Sequence, residues 1–152
     1  MSQYKYNTIT IEAFVPATPE QAWHAYTTAE AITQWNQASL DWHCPWAKID
    51  LRVGGRHVAR MEARDGSFGF DYSGTYEVVE APHSVTLRLD DDRLVRTTFE
   101  PKGNGTLVRT VFDAEGTHSL EQQRKGWQAI FDSYADYIAN NRSLVSKQQD
   151  MK

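Results

Sequence analysis

From Arg56 to Phe112 the chain reads as strand after strand, joined by short turns, and it then runs into one long amphipathic helix. Parallel neighbours need a connection of a dozen or more residues, so short turns commit these strands to antiparallel pairing. A long helix after such a run has one apolar stripe to bury, and the sheet's concave face is the partner available to it. The strands are legible from alternation. His57, Ala59, Met61 and Ala63 alternate with Arg56, Arg60, Glu62 and Arg64, and Asp65-Gly66 is a hairpin signal. Phe68, Phe70, Tyr72, Tyr76 and Val78 then share a face with Gly74, opposite Asp71, Ser73, Thr75 and Glu77. Beyond the break at Ala81-Pro82 come Val85, Leu87 and Leu89, the polar turn Asp90-Asp91-Asp92, and Val95, Thr97 and Phe99. Lys102-Gly103-Asn104-Gly105 turns the chain into Val108, Thr110 and Phe112, where Leu107 and Val111 blur the distinction between faces. Ser119 with Gln122 forms the spacing of a capping box. Leu120, Trp127, Ile130, Phe131, Tyr134, Tyr137 and Ile138 follow it at helical spacing.

Ahead of this run, residues 4–15 read as a strand with Ile9, Ile11, Ala13 and Val15 on one face and Phe14 interrupting the other. Thr18, Pro19 and Gln21 suit the N-cap, N1 and N3 of a short helix through Trp23 and Tyr26. Thr27 and Glu30 repeat the capping spacing and predict a second short helix to Trp35. Residues 36–46 read as irregular. The expected fold is α+β: a curved antiparallel sheet of about six to seven strands wrapped around the C-terminal helix, with two short helices after the first strand. A length of 152 residues suits one domain, taken as residues 1–142, with a polar tail at 143–152.

The formal net charge of −4 argues against nucleic acid and anionic lipid as partners, since both select basic surfaces. Cys44 is the single cysteine, so no internal disulfide forms, and the polar stretch Met1 to Thr10 lacks the apolar segment of a signal peptide. A cytoplasmic location is the expectation. No run approaches the roughly 18 apolar residues of a membrane span. Five Trp, seven Tyr and six Phe suit either a large core or a ligand pocket.

Several segments resemble a known family. They are Ile11-Glu12-Ala13, Pro19-Glu20-Gln21-Ala22-Trp23, Ile32-Thr33-Gln34-Trp35, Trp42-His43-Cys44-Pro45, Leu51-Arg52-Val53-Gly54-Gly55, Gly66-Ser67-Phe68, Gly74-Thr75-Tyr76 and Gly126-Trp127. Together, over roughly residues 8–142, they resemble the START-like (SRPBCC) superfamily, and within it bacterial proteins similar to the C-terminal domain of the activator of Hsp90 ATPase. The resemblance implies the helix-grip fold. It also implies a cavity between sheet and helix, on a scaffold shared by lipid carriers, aromatase/cyclases and co-chaperone domains.

The inward row predicted from pattern comprises His57, Ala59, Met61, Phe68, Phe70, Tyr72 and Tyr76, followed by Val95, Thr97, Phe99, Val108, Thr110 and Phe112. Its mixture of aromatic, small and polar-tipped residues suits a small-molecule pocket better than a filled aliphatic core. The leading reading is a carrier of a small hydrophobic or aromatic ligand, with no cofactor. Trp35, Trp42 and His43 stand at the mouth in this reading. Met61, Phe70, Tyr72 and Tyr76 form the sheet wall, and Trp127, Phe131 and Tyr134 the helix wall. His57 and the tyrosine hydroxyls orient a polar group. The second reading is a cyclase- or dehydratase-type enzyme in the same cavity, with His57 or a tyrosine as acid/base and Arg96 facing outward. The third is an interaction module with a chaperone partner of the Hsp90 kind, for which Arg52, Arg56, Arg60 and Arg64 are the candidate surface, against cross-strand pairing with Asp71, Ser73 and Glu77 as the default. Asp41, His43 and Cys44 lack the second ligand cluster that zinc needs, so no metal is assigned. Asp90-Asp91-Asp92 reads as a solvated turn rather than a calcium loop, and no oligomeric state is assigned.

Overall fold

A computed structural model of the chain describes residues 7–141. The described elements are β1 (Thr8–Val15), α1 (Pro19–Thr27), α2 (Ala29–Trp35), β2 (Trp42–His43), β3 (Ala47–Ile49), β4 (Arg56–Ala63), β5 (Gly69–Glu80), β6 (Ser84–Leu89), β7 (Leu94–Lys102), β8 (Gly105–Asp113) and α3 (Leu120–Asn140). The strands pair antiparallel in the order β1-β8-β7-β6-β5-β4-β2, with β3 also on β4. This is the expected α+β helix-grip arrangement. The beginning of the first predicted strand, residues 4–6, and the tail at 143–152 lie outside the described residues.

Among the described residues the sheet holds eight strands, where the sequence predicts about six to seven. The additional strands are β2 and β3, which lie within and just after the stretch read as irregular. Trp42 sits opposite Ala63 and His43 opposite Glu62, while Ala47 sits opposite Ala59. Segments of two or three residues carry no readable period; they are strands because the edge of β4 offers unpaired backbone groups.

Both strong helix starts form as the spacing predicts. Thr18 Oγ1 accepts from Gln21 N at 3.1 Å while Thr18 N donates to the Gln21 side chain at 3.0 Å. Ser119 Oγ accepts from Gln122 N at 3.1 Å. The second short helix starts differently. Thr27 still belongs to α1, and its hydroxyl donates back to the Trp23 carbonyl at 2.7 Å. Thr28 holds the N-cap position of α2, its own hydroxyl donating to the His24 carbonyl at 3.0 Å. Threonines within reach of a carbonyl four residues back bond to it, which here takes precedence over capping the next helix.

Ile9, Ile11 and Val15 of β1 are buried, and Phe14 stands outward, 49% exposed. Val95 sits opposite Phe112, Thr97 opposite Thr110, and Phe99 opposite Val108, all six buried. A bulge follows Tyr76 in β5. Val78 lies opposite Thr86 and Val79 opposite Val85, so Val79 joins the inward set in place of Val78. One extra residue on one strand shifts the alternation by one, and everything beyond it changes face.

The outer face is laced with ion pairs. Arg56 bonds Asp90, Arg60 bonds Glu62 and Asp71, and Arg88 bonds Glu77 and Asp92. The four-residue arginine row divides. Arg52 lies before β4 and bonds Asp50, and Arg64 lies beyond it and donates to the Leu40 carbonyl. Of the expected cross-strand partners, Asp71 meets Arg60, whereas Ser73 donates to Asp90 and Glu77 is held by Arg88.

Candidate functional site

The backbone of α3 lies closest to β1 and to α1 and α2, and it stands away from β4–β6. Its inner stripe divides accordingly. Phe131, Tyr134 and Ile138 are buried, 3% exposed or less. Tyr134 packs edge-on to Tyr26 and Trp35, with centroids at 5.5 and 5.1 Å, and its hydroxyl donates to the Ala22 carbonyl at 2.7 Å. Trp127, one to two turns earlier, stacks on Phe112 at 4.0 Å. Beside Trp127 the separation between helix and sheet is left open.

That gap is a cavity of about 200 Å³. His57 and Met61 from β4 and Phe70, Tyr72 and Tyr76 from β5 form one wall. Val85, Leu87, Val95 and Thr97 from β6 and β7 form the floor. Tyr26, Thr27, Ile32, Trp35 and Asn36 close one end, and Trp127 and Ile130 of α3 cover the top. The lining is chiefly apolar, and it contains no Asp, Glu, Lys or Arg.

Seven of the residues singled out from sequence therefore line one cavity: Trp35, His57, Met61, Phe70, Tyr72, Tyr76 and Trp127. Four do not. Phe131 and Tyr134 are core residues on the flank of α3 that faces α1 and α2. Trp42 packs edge-on against Phe68 and Phe70 at 6.0 and 6.1 Å, one ring removed from the cavity, and lines an outer groove with Leu40 and Arg64. His43 faces Glu62 across the strand pair at 3.7 Å. Phe68, assigned to the inward row, precedes β5 and is 62% exposed. Ile130, Tyr26 and Ile32 line the cavity without having been singled out for it. Ile130 does lie in the apolar stripe of α3, which is the signal that points to it.

The polar groups of the lining are mostly engaged with each other. Tyr26 Oη lies 3.1 Å from Thr97 Oγ1, which lies 2.7 Å from Thr110 Oγ1. His57 Nδ1 is 2.9 Å from the Tyr76 hydroxyl. Burial lowers the His57 pKa to about 4, so its imidazole is neutral near pH 7. Burial raises the hydroxyl pKa values of Tyr26, Tyr72, Tyr76 and Tyr134, which keeps them protonated donors. Cys44 is buried with its Sγ 3.5 Å from the Trp46 carbonyl, and burial raises its thiol pKa. Among the described residues, no three His, Cys, Asp or Glu are grouped to hold a metal ion. None of the described helices is long and apolar enough to cross a membrane.

Residues 16–139 match the family model described as "Activator of Hsp90 ATPase homolog 1-like protein". The chain belongs to this family. An AHSA1-like protein from Aeromonas hydrophila, solved by NMR, is 42% identical, covering 88% of this chain and 93% of its own, with a TM-score of 0.83. A protein from Cytophaga hutchinsonii is 38% identical over 90% of this chain and 94% of its own, with a TM-score of 0.77. A crystal structure from Chromobacterium violaceum, 22% identical over 86% of this chain and 96% of its own, shares the fold at a TM-score of 0.77. A comparison with curated proteins finds no match. The activator-of-Hsp90-ATPase-like family carries the START-like, helix-grip architecture, whose curved sheet is suited to enclosing a ligand.

Proposed function

We propose that this protein binds a small lipophilic or aromatic molecule in the cavity between β4–β7 and α3, and shelters it without transforming it. The observation that carries this reading is an apolar cavity of about 200 Å³ between sheet and helix, walled by His57, Met61, Phe70, Tyr72, Tyr76 and Trp127. Ligand sites are concave and mostly apolar, with a few placed polar groups that fix orientation. Trp35 and Trp127 in the wall make occupancy visible by fluorescence.

A thermal-shift titration against small aromatic and aliphatic compounds tests the reading. A ligand at 100 times its Kd adds about 2.7 kcal/mol to native stability, a rise of roughly 5–10 °C for a domain near this size. Ile130→Trp, which fills the cavity from α3, abolishes the shift if the ligand occupies this site. A folded protein that shifts with no compound overturns the reading and makes a pull-down with an Hsp90-type chaperone the next experiment.

The second reading is an acid–base enzyme in the same cavity, favoured by the His57–Tyr76 pair. A general base works best with a pKa near the working pH, and the His57 pKa near 4 makes it a weak one at pH 7. Under the enzyme reading His57→Ala abolishes turnover; under the carrier reading it leaves most of the binding intact.

A further inference from the structure

We infer that the cavity selects uncharged ligands of one or two fused rings carrying a single hydrogen-bonding group, and that it rejects carboxylates. This rests on the binding reading above and names the ligand chemistry of that site. Three observations carry it.

The first is size. A dry cavity of about 150 Å³ holds a benzene-sized guest, and the space here is about 200 Å³. One ring fills it loosely, two fused rings fill it, and a sterol or a four-ring aromatic exceeds it.

The second is charge. No side chain that is ionised at neutral pH lines the space, since the lining lacks Asp, Glu, Lys and Arg. Arg93, the cation near Tyr72, stands outside the lining and is bonded to Asp91 at 2.7 Å. A carboxylate entering the cavity leaves water and meets no counter-ion, a transfer that is strongly unfavourable.

The third is the inventory of hydrogen bonds. Thr27 donates to the Trp23 carbonyl, the Tyr26, Thr97 and Thr110 hydroxyls satisfy one another, and Tyr76 is engaged by His57 Nδ1. His57 Nε2 and the Tyr72 hydroxyl have no hydrogen-bond partner among the described residues. Their rings lie 5.8 Å apart, edge to face, in the same wall of the cavity, and they are the groups left for one hydroxyl or carbonyl on a ligand to meet. Asn36, the other polar side chain of the lining, bonds Cys44, so a second polar group on a ligand meets only side chains already bonded within the protein.

The test uses the whole chain at neutral pH, with naphthalene, 2-naphthol, 2-naphthoate and 1-hydroxypyrene as probes, read by calorimetry and by tryptophan fluorescence. The expected order is 2-naphthol tightest, naphthalene several-fold to tenfold weaker by one neutral hydrogen bond, and 2-naphthoate at least 100-fold weaker than 2-naphthol. 1-Hydroxypyrene does not bind. Tyr72→Phe lowers 2-naphthol affinity toward that of naphthalene and leaves naphthalene unchanged; the hydroxyl it removes bonds nothing in the protein, so the fold is retained, as circular dichroism checks. Binding of 2-naphthoate as tight as 2-naphthol, and lost in Ile130→Trp, overturns this inference while the binding reading stands. Tight 1-hydroxypyrene binding at the same site overturns the size limit. Failure of all four probes to bind overturns this inference, and the binding reading itself falls only if the aliphatic compounds of the thermal-shift titration also give no shift.

Discussion

His57 Nδ1 lies 2.9 Å from the Tyr76 hydroxyl, although the residue opposite His57 in the strand pair is Gly74. The contact runs diagonally across the strand pair, to the next inward residue along β5. It satisfies one ring nitrogen, and burial, which disfavours the imidazolium, lowers the His57 pKa to about 4 from 6.5. Tyr72 and Tyr76 face the ring, and both stay neutral.

A pH dependence of stability follows from that shift. Between pH 6.5 and 4 the unfolded chain takes up a proton at His57 that the folded protein refuses, so stability falls as pH is lowered through this window and levels off below it. The full loss is about 3 kcal/mol. His57→Gln cannot be charged and removes this component. Denaturation of both proteins from pH 7.5 to 4 should give curves whose difference has this slope, and parallel curves would show that His57 does not titrate in that way.

Tyr134 is fully buried and its hydroxyl donates to the Ala22 carbonyl, tying α3 to α1. Tyr134→Phe keeps the ring packing and loses the bond, for a destabilisation of about 1 kcal/mol in urea unfolding. Because Tyr134 is absent from the cavity wall, ligand affinity should be unchanged. A change in affinity exceeding the change in stability would place Tyr134 in the binding wall.

Gly74 is required for space. A Cβ there would stand 2.5 Å from the Arg88 carbonyl oxygen and 3.0 Å from Leu89 Cα, both backbone atoms that cannot swing aside. Gly74→Ala should destabilise by about 1–3 kcal/mol through forced separation of β5 and β6. Hydrogen exchange localises the effect, with amides of β5 and β6 losing protection before those of β1 and β8.

Phe70 belongs both to the cavity wall and to the exposed aromatic group with Trp42 and Phe68, and is 43% exposed. Phe70→Ala should cost about 1–2 kcal/mol of stability, less than a fully buried phenylalanine. It should raise the dissociation rate of a cavity ligand more than it changes the association rate. Stopped-flow tryptophan fluorescence separates the two rates, and an unaltered dissociation rate would remove Phe70 from the route of exit.

Much of this structure could be read along the chain. The capping boxes at Thr18 and Ser119 depend on residues three apart, and both formed as read. The inward set in β7 and β8 follows from strict alternation, and Val95, Thr97, Phe99, Val108, Thr110 and Phe112 are buried as a block. Alternation failed where the backbone departs from it. The bulge after Tyr76 exchanged Val78 for Val79, and Phe68 stands beyond the start of β5, where no period governs it.

The sequence by itself determined the α+β class, the antiparallel order of the long strands, both strong helix starts and the aromatic character of the wall, because each depends on residues a few positions apart. Which aromatics of α3 face the open space was decided by tertiary structure alone. Trp127, Ile130, Phe131, Tyr134 and Ile138 form one continuous stripe, and nothing in their spacing separates them. They separate because α1 and α2 occupy one flank of α3 and pack against Phe131 and Tyr134, while on the other flank the helix stands off β4–β6 and leaves Trp127 and Ile130 over a cavity. The distance between a helix and a distant strand is set by what fills the space between them, a property of the packed molecule that no window of sequence contains.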